Sequence, residues 1–321
     1  MTAAARGGID LGGTKIEAIV VDPGNAVLGQ ARHPTPQKGG PQAVADAMAA
    51  ALREAADAAG IETDSLAGVG VGSPGEIERS SGVVSHAKNL PDWAGSFPLG
   101  SRLTEALGTR VAVGNDVSVA THAESKLGAG RHHGSVLGVF WGTGVGGGIV
   151  LDGADWHGRG TAGEIGHMVI KQDGAECPCG NRGCLEAYAG RSAMEAKARR
   201  EVKDGAKTIL FDLMKEHDRP RLTSGIWERA LDKGDDLAES LLDRAVKALG
   251  VGVASAVNLL DPEIVILGGG LGVRFGERLG PKIEKRMKKS LFDKVHPPAF
   301  AVAELGDLGG AIGASLLIEP R

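Results

Sequence analysis

A strand, a short turn of glycine and threonine, and a second strand occur twice in this chain, and this repeat constrains the fold more than any other feature. In the first copy the turn contains Gly12-Gly13-Thr14, and the next apolar run ends at Asp22-Pro23-Gly24, a strong turn signal. In the second copy Val136–Trp141 leads into Gly142-Thr143-Gly144, and the strand that follows ends at Asp152-Gly153. Two such copies about 130 residues apart predict a duplicated domain. In a chain with 51 glycines, similar hairpins also arise by chance.

Apolar runs of strand length alternate with helical segments along the rest of the chain. Residues 41–59 are rich in alanine, begin with a proline and precede a glycine, as expected of a helix. Residues 235–260 repeat apolar positions at helical spacing, and residues 263–267 read as a buried strand. The alternation predicts an α/β fold. A length of 321 residues favours two domains over one.

The composition is that of a soluble globular protein, with 42% hydrophobic and 24% charged residues. The formal net charge of −4 provides no overall positive field for nucleic acid or an anionic membrane. No run of about 18 apolar residues, the length that spans a bilayer, is found. The first ten residues also lack the apolar segment of a secretory signal. We therefore expect a cytoplasmic protein without membrane or nucleic-acid partners.

The glycine-rich loops do not match the common nucleotide fingerprints. Gly142-x-Gly144-x-x-Gly147 has the dinucleotide spacing, but an apolar strand follows it where that fingerprint needs a helix. The cluster Gly268-Gly269-Gly270 does precede a helix, yet no acidic residue ends a second strand about 20 positions later. The Walker A spacing is absent as well. Neither a dinucleotide fold nor a P-loop is predicted.

The two Gly/Thr turns instead present backbone N–H groups and a hydroxyl, which can form nests for phosphate oxygens. One turn from each domain, together with the third glycine cluster, predicts a site for a polyphosphate chain. The carboxylate of Asp10, beside the first turn, suits a hydrated Mg²⁺. The alternative is that the turns only connect strands. The predicted nucleotide-binding residues are Asp10, Gly12, Gly13, Thr14, Lys15, Gly142, Thr143, Gly144, Gly268, Gly269 and Gly270.

All three cysteines of the chain, Cys177, Cys179 and Cys184, lie within eight positions, and His167 precedes them by ten. Three thiolates and one imidazole are a common tetrahedral zinc set, and a closed four-ligand site is structural. A redox role needs a Cys-x-x-Cys near a helix start, which Cys-x-Cys fits poorly. A reducing compartment disfavours a disulfide, and core packing does not explain thiols beside Gly, Asn and Arg. The pattern favours structural zinc.

Taken together, these segments resemble the ROK family of sugar kinases and sugar-responsive repressors. The matching motifs keep the family order from residue 9 to about residue 313, nearly the whole chain. They are DLGGTK (Asp10–Lys15), GSPG (Gly72–Gly75), NLPDW (Asn89–Trp93), ND (Asn115-Asp116), GTGVGGGIV (Gly142–Val150), GEIGH (Gly163–His167), CPCGNRGCLE (Cys177–Glu186) and LDPEIVILGGG (Leu260–Gly270). The GEIGH and cysteine motifs together are highly specific, whereas the glycine loops alone are not.

The resemblance implies two ribonuclease-H-like (actin-like ATPase) lobes with the active site in the cleft between them. Residues 1–116 would form the N-terminal lobe, and a final helix in residues 305–321 would return to it. Residues 117–304 would form the C-terminal lobe, including a zinc-binding loop over residues 167–186. A homodimer or homotetramer is also implied.

The resemblance further implies ATP-dependent phosphorylation of a hexose at its 6-hydroxyl, most similar to a glucokinase, with Mg²⁺ bound to the nucleotide. Asp116 matches the catalytic base, a role that suits a carboxylate that accepts the proton of the attacking hydroxyl. Its alternative role is as the N-cap of helix 116–127. The residues matching the sugar site are Gly75, Asn89, Asn115, Asp116, Glu164, His167 and Glu186. The resemblance also gives His167 two roles, with one ring nitrogen on zinc and the other toward the sugar.

Some positions depart from the family pattern. Gly114 stands where members often have Glu, and the residues after Asp116 are Val117-Ser118-Val119. These changes leave the reacting groups in place but put the identity of the sugar in doubt. Mannose, fructose or an N-acetylhexosamine are alternatives to glucose, and inorganic polyphosphate is an alternative donor.

Two rival functions fit less well. A repressor of the family would need a helix-turn-helix before the first strand, where only eight residues precede Ile9. A non-catalytic sugar-binding module would not need the two Gly/Thr turns, Asp10 and Asp116.

Overall fold

The structure is a computed structural model that describes residues 4–87, 90–93 and 95–318. Its residues form two compact units, each of which is described separately. The first unit contains residues up to 131, residues 155–162 and the residues from 304 onward. The second unit contains residues 132–154 and 163–303.

A mixed sheet forms the centre of the first unit. In the described residues it has five strands in the order β3-β2-β1-β4-β7. Strands β1 and β2 and strands β2 and β3 pair antiparallel, whereas β4 is parallel to β1 and β7 is parallel to β4. A small antiparallel hairpin, β5–β6, is separate from this sheet. The strands are β1 Arg6–Leu11, β2 Lys15–Val21, β3 Val27–Pro34, β4 Val69–Ser73, β5 Glu76–Glu78, β6 Val83–Ser85 and β7 Val111–Asn115.

The second unit repeats this plan. Its described residues also form a five-stranded sheet, in the order β10-β9-β8-β11-β12. Strands β8 and β9 form an antiparallel hairpin, and β11 and β12 continue the sheet in parallel. The strands are β8 Val136–Trp141, β9 Val145–Leu151, β10 Ala154–Asp155, β11 Ile264–Gly268 and β12 Ala299–Val302. The matching strand order and directions confirm the duplication predicted from the two hairpins.

Helices complete both units. Those in the described residues are α1 Gly40–Ala59, α2 Leu99–Leu107, α3 Asp116–Leu127, α4 Glu186–Ala189, α5 Arg191–Lys203, α6 Leu210–Glu216, α7 Ser224–Asp232, α8 Asp236–Leu260, α9 Gly269–Lys289 and α10 Gly309–Ser315. Short 3₁₀ turns lie at Thr63–Ser65, Ile165–His167 and Gly306–Leu308. The predicted helix over residues 235–260 is α8, and Asp235 is its N-cap because its carboxylate accepts from the N–H of Ala238 at 2.8 Å.

The core of the first unit lies between α1 and the hairpin strands. Met48 and Leu52 of α1 are fully buried in the same cluster as Ile9, Ile16 and Val20 of β1 and β2. Burial of one large aliphatic side chain contributes about 1.5–3 kcal/mol. The helix predicted over residues 41–59 is therefore attached to the sheet by its buried apolar face.

Helix α10 lies against the other face of the first sheet, at β1 and β4. Its backbone approaches the strands at two glycines. A Cβ at Gly8 would lie 2.1 Å from the carbonyl oxygen of Ala311, and a Cβ at Gly70 would lie 1.7 Å from that of Ala314. Real side chains do not reach such distances, so this approach requires glycine at both positions.

A buried carboxylate anchors the chain where it returns to the first unit. Glu124 of α3 is only 3% exposed and accepts hydrogen bonds from three backbone N–H groups. These belong to Ala129 at 3.0 Å, Glu304 at 3.1 Å and Leu305 at 2.9 Å. Because a buried carboxylate is costly unless it is hydrogen-bonded, this arrangement fixes the end of α3 and the start of the C-terminal segment together.

The sequence places helix 116–127 in the second lobe, but in the structure α3 belongs to the first unit. The reason is its packing, because α3 lies against α10 and β4. The boundary therefore falls after Arg131 instead of after Asp116.

Among the described residues, none of the helices combines the length and apolarity needed to cross a bilayer.

Replacement of Gly70 by alanine should destabilise the first unit, because the new Cβ would overlap the carbonyl oxygen of Ala314. We expect a loss of about 3 kcal/mol in the free energy of unfolding, at the upper end of overpacking effects. Chemical denaturation measures it. Gly95→Ala is the control, because a Cβ there has no atom within 4 Å. Equal stability of the two variants would contradict the close approach of α10.

Candidate functional site

Three parallel strands of the first unit end side by side and bring the predicted residues of this unit to one edge. Asp10 of β1 pairs with Gly72 of β4, and Ser73 pairs with Asn115 of β7. The carboxyl ends of such strands are where ligands bind in open α/β sheets. Asp10, Gly75, Asn115 and Asp116 therefore lie at or just beyond the same edge.

Asn115, not Asp116, is the N-cap of α3. Its side-chain oxygen accepts from the N–H groups of Val117 and Ser118, both at 3.1 Å. Asp116 is the first residue of the helix, and its carboxylate accepts from the N–H of Val117 at 2.9 Å. The capping alternative for Asp116 is therefore wrong.

Among the described carboxylates, Asp10 has a pKa that is clearly raised. Burial, followed by the charge of Asp116, raises the pKa of Asp10 to about 7, and Lys15 only partly opposes this shift. Gly310 of α10 contributes to the burial, since a Cβ there would lie 2.6 Å from the Asp10 carboxyl carbon. The negative charge of Asp116 thus acts on Asp10, and positive charge placed near the pair would oppose this effect.

The first Gly/Thr turn is held by hydrogen bonds around it. The N–H of Gly12 donates to the carbonyl of Lys15 at 2.9 Å, and the hydroxyl of Thr35 donates to the carbonyl of Gly12 at 2.6 Å. Lys15 forms an ion pair with the buried Glu17 at 3.4 Å. The Lys15 ammonium is thus engaged by a carboxylate in this structure, while Gly13 and Thr14 form the tip of the turn.

Of the sugar-contact residues predicted in the first unit, Gly75 can be described in addition to Asn115 and Asp116. Gly75 follows β4 with a φ of 99°, a left-handed conformation that favours glycine. A side chain there would also meet the carbonyl oxygen of Ser85 at 2.6 Å. Asn89 lies outside the described residues.

In the second unit the other two glycine clusters are adjacent. A Cβ at Gly142 would lie 3.7 Å from the backbone nitrogen of Gly270. Gly268 is the N-cap of the 21-residue helix α9, which begins at Gly269. The turn at Gly142–Gly144 and the N-terminus of α9 therefore form one region, and a helix N-terminus favours anions.

Glu186 lies against this turn. Its carboxylate accepts from the N–H of Val145 at 2.9 Å, and a Cβ at Gly144 would lie 2.0 Å from the same oxygen. The sequence predicts a sugar contact for Glu186 but not this contact with the turn. Since Gly144 has no side chain, the carboxylate reaches the backbone directly.

The four predicted zinc ligands are together. One ligand atom from each of His167, Cys177, Cys179 and Cys184 lies within 4.8 Å of all the others. The sulfurs of Cys179 and Cys184 are 3.7 Å apart, and the Cys177 sulfur is 3.7 Å from His167 Nδ1. A tetrahedron with zinc–sulfur bonds of about 2.3 Å has edges of about 3.8 Å. The donor set and its spacing therefore fit zinc.

The two ring nitrogens of His167 face different groups. Its Nε2 lies 3.9 Å from a carboxylate oxygen of Glu164, while Nδ1 faces the thiols. The Nδ1 atom is thus placed for a metal, whereas the group nearest Nε2 in this structure is the Glu164 carboxylate, so the predicted role of Nε2 toward the sugar stays a prediction. Burial raises the pKa of Cys177 to about 12. Such a thiol stays protonated at neutral pH unless nearby positive charge, for example a metal ion, lowers its pKa.

One polar residue at the second turn has no role in the motifs discussed above. Arg191, the first residue of α5, donates from Nη2 to the Thr143 hydroxyl at 2.7 Å. It follows Glu186 by five positions, but its spacing alone did not indicate a contact with Thr143.

Known proteins resemble this chain over nearly its whole length. The ROK family profile matches residues 6–321. A glucokinase of Thermotoga maritima is 33% identical over 316 residues, which cover 98% of this chain and 97% of the relative. An N-acetylgalactosamine kinase of a Shewanella species is 31% identical over 319 residues, covering 97% and 95%.

A solved structure agrees with these relatives. The ROK family glucokinase of Streptomyces griseus, in complex with glucose and AMPPNP, matches with a TM-score of 0.82. It is 31% identical and covers 98% of both chains. ROK kinase structures have actin-like ATPase folds, and the duplicated sheets described above agree with that class. The chain therefore belongs to the ROK family and, within it, is a sugar kinase.

Proposed function

We propose that this kinase transfers the γ-phosphoryl group of ATP to the 6-hydroxyl of a hexose, with glucose as the preferred sugar. The observation that carries the proposal is the position of Asp116, at the start of α3 beside Asp10, with helix capping left to Asn115. The glucokinase relatives favour glucose.

Asp116 is the proposed catalytic base. It accepts the proton of the 6-hydroxyl while the sugar oxygen forms its bond to the γ-phosphorus, and the bond from that phosphorus to the bridging oxygen breaks to release ADP. Phosphoryl transfer depends on alignment and charge neutralisation more than on strong base catalysis. A carboxylate that orients the hydroxyl supplies the first of these needs.

The residues around Asp10 fit Mg²⁺. Burial and then the charge of Asp116 raise the pKa of Asp10 and disfavour its ionised form, which a bound cation would stabilise. When bound with the nucleotide, Mg²⁺ neutralises charge on the phosphates. Asp10 would hold one of its water ligands.

The two Gly/Thr turns are the proposed phosphate contacts. In the second turn the carbonyls of Gly142 and Thr143 accept from the first N–H groups of α5. Because C=O and N–H lie on opposite sides of a trans peptide, the N–H groups of Thr143 and Gly144 face away from α5. Two successive N–H groups on one side form an anion nest.

The proposed sugar contacts are Gly75 through its backbone and the side chains of Asn89, Asn115, Glu164, His167 and Glu186. Since the side-chain oxygen of Asn115 caps α3, its amide nitrogen is the group available to a sugar hydroxyl. The carboxylates of Glu164 and Glu186 would accept from hydroxyls.

An N-acetylhexosamine is the second candidate substrate, because relatives at 31% identity carry that name. Mannose, fructose and a polyphosphate donor remain alternatives on sequence grounds. We further propose structural zinc at the Cys₃His cluster and a cytoplasmic location, where ATP is available. We also propose a homodimer or homotetramer, and light scattering on a sizing column tests this oligomeric state.

A coupled ADP-release assay over a panel of hexoses and N-acetylhexosamines, with ATP or polyphosphate as donor, tests the proposed function. We expect the highest kcat/KM for glucose with ATP. No phosphorylation of any sugar would refute the kinase, and a higher kcat/KM for an N-acetylhexosamine would replace glucose as the substrate.

Asp116→Asn should lower kcat by about a hundredfold to ten-thousandfold, the usual contribution of a positioned base. Sugar binding, measured by calorimetry, should change little because the amide keeps the shape and one acceptor. Asp57→Asn, at an exposed position of α1, is the control. A kcat near that of the wild type would rule out the base assignment.

Asp10 should make stability depend on pH. Between its unfolded pKa near 3.8 and its folded pKa of about 7, the folded chain retains a proton that the unfolded chain releases. The free energy of unfolding therefore falls as the pH rises through this window, by up to about 4 kcal/mol for this group. Asp10→Asn removes the effect, so the variant should gain stability relative to wild type between pH 5 and pH 8.

Denaturant titrations at pH 5 and pH 8, without nucleotide or Mg²⁺, measure the difference in the free energy of unfolding between the variant and wild type. Asp57→Asn should show the same offset from wild type at the two pH values. If Asp10→Asn also shows a constant offset, the raised pKa is wrong.

Cys179→Ser should remove a zinc ligand and lower the metal content from about one per chain toward zero, because three ligands hold zinc far more weakly than a closed set of four. Elemental analysis after dialysis measures it. Glu176→Gln, in the same loop but outside the ligand set, should retain zinc. A wild-type protein without stoichiometric zinc would contradict the proposal.

A further inference from the structure

We propose that Arg191 is a positioning residue for the donor phosphates, and that it acts by fixing the hydroxyl of Thr143 as a hydrogen-bond donor toward them. This inference rests on the proposed function, because it assigns the second Gly/Thr turn to the donor.

Arg191 is held at the turn by its backbone and its side chain. Its N–H donates to the carbonyl of Gly142 at 3.1 Å, and the N–H of Ser192 donates to the carbonyl of Thr143 at 3.1 Å. The guanidinium donates from Nη2 to Thr143 Oγ1 at 2.7 Å and from Nη1 to the carbonyl of Leu222 at 3.2 Å. These contacts define the position of the guanidinium relative to the turn.

The bond to Thr143 determines what the hydroxyl can do. A guanidinium has only donors, so Thr143 Oγ1 must accept from Arg191. One lone pair of the oxygen is then occupied, and its hydrogen points to another acceptor. At a turn whose N–H groups face away from α5, that acceptor would be a phosphate oxygen. Arg191 thereby orients the Thr143 hydroxyl so that its hydrogen is directed away from the guanidinium and is available to donate.

The charge of Arg191 is also needed at this place. The Glu186 carboxylate already contacts the backbone next to Gly144, so a phosphate chain would add to existing negative charge. Partial burial and the charge of Arg221 lower the pKa of Arg191, and the nearby Glu195 opposes them. An arginine remains protonated under such conditions. The turn therefore has a permanent cation beside its hydroxyl.

The test compares Arg191→Met, Arg191→Lys, Thr143→Val and the double variant Thr143→Val/Arg191→Met. Calorimetry with Mg²⁺ and AMPPNP gives the nucleotide Kd, and steady-state assays give KM for ATP and for the sugar. Arg200→Met, an exposed position of the same helix, is the control. Thermal unfolding shows whether each variant folds. If Arg191→Met does not fold, Arg191→Lys replaces it in the binding measurements.

Loss of a charge-assisted hydrogen bond should weaken nucleotide binding by about ten- to a hundredfold. The sugar KM should stay within about twofold of wild type, and Arg191→Lys should restore part of the loss because it keeps the charge without the planar fork. If Arg191 acts through Thr143, the double variant should bind nucleotide about as weakly as Thr143→Val alone.

An unchanged nucleotide Kd in Arg191→Met would overturn the inference, and so would fully additive effects in the double variant. Equal losses for nucleotide and sugar would also overturn it, since they indicate a general structural role. A wild-type protein that binds AMPPNP but phosphorylates no sugar would refute the proposed function alone, because the nucleotide Kd values still test Arg191.

Discussion

The close packing of α10 on β1 and β4 is the contact on which the site of the first unit depends. Backbone meets backbone at Gly8 and Gly70, and this approach brings Gly310 against the Asp10 carboxyl group. Asp10 therefore loses water on a side where a longer residue would have kept the helix away. Its raised pKa follows from that burial and from the neighbouring Asp116. A packing constraint in the sheet thus disfavours the ionised form of Asp10, which the proposed Mg²⁺ would stabilise.

Both units place a carboxylate beside a glycine-rich turn, and this is unfavourable for binding phosphate unless positive charge is present. In the first unit Lys15 is near Asp10 and also pairs with Glu17, which Arg32 contacts at 2.6 Å, and the proposed Mg²⁺ would add positive charge at this turn. In the second unit Arg191 is next to the turn that Glu186 contacts. The proposed Mg²⁺ in the first unit and Arg191 in the second would have the same effect, because each places positive charge beside a carboxylate and a glycine-rich turn.

The Cys₃His cluster lies in a loop of small and polar residues that the proposed zinc would fix. The segment between Glu164 and Glu186 has few large apolar side chains, so packing alone would hold it weakly. Four ligands on one ion would set the orientation of the His167 ring and the position of its neighbour Glu164. The proposed sugar contacts of the second unit then depend on metal chemistry more than on a hydrophobic core.

Much of this could be predicted from the sequence, because the signals are local. Hairpin turns depend on glycine at fixed positions, helices on apolar spacing, and zinc on the identity and separation of four ligands. The sequence therefore determined the duplicated α/β plan and the Cys₃His cluster. Only the tertiary structure decided that α3 belongs to the first unit, that Asn115 caps it, that Asp10 is buried under Gly310, and that Arg191 reaches Thr143. Each of these depends on residues distant in sequence or on competition between neighbours for one hydrogen bond, and neither leaves a periodic pattern in the chain.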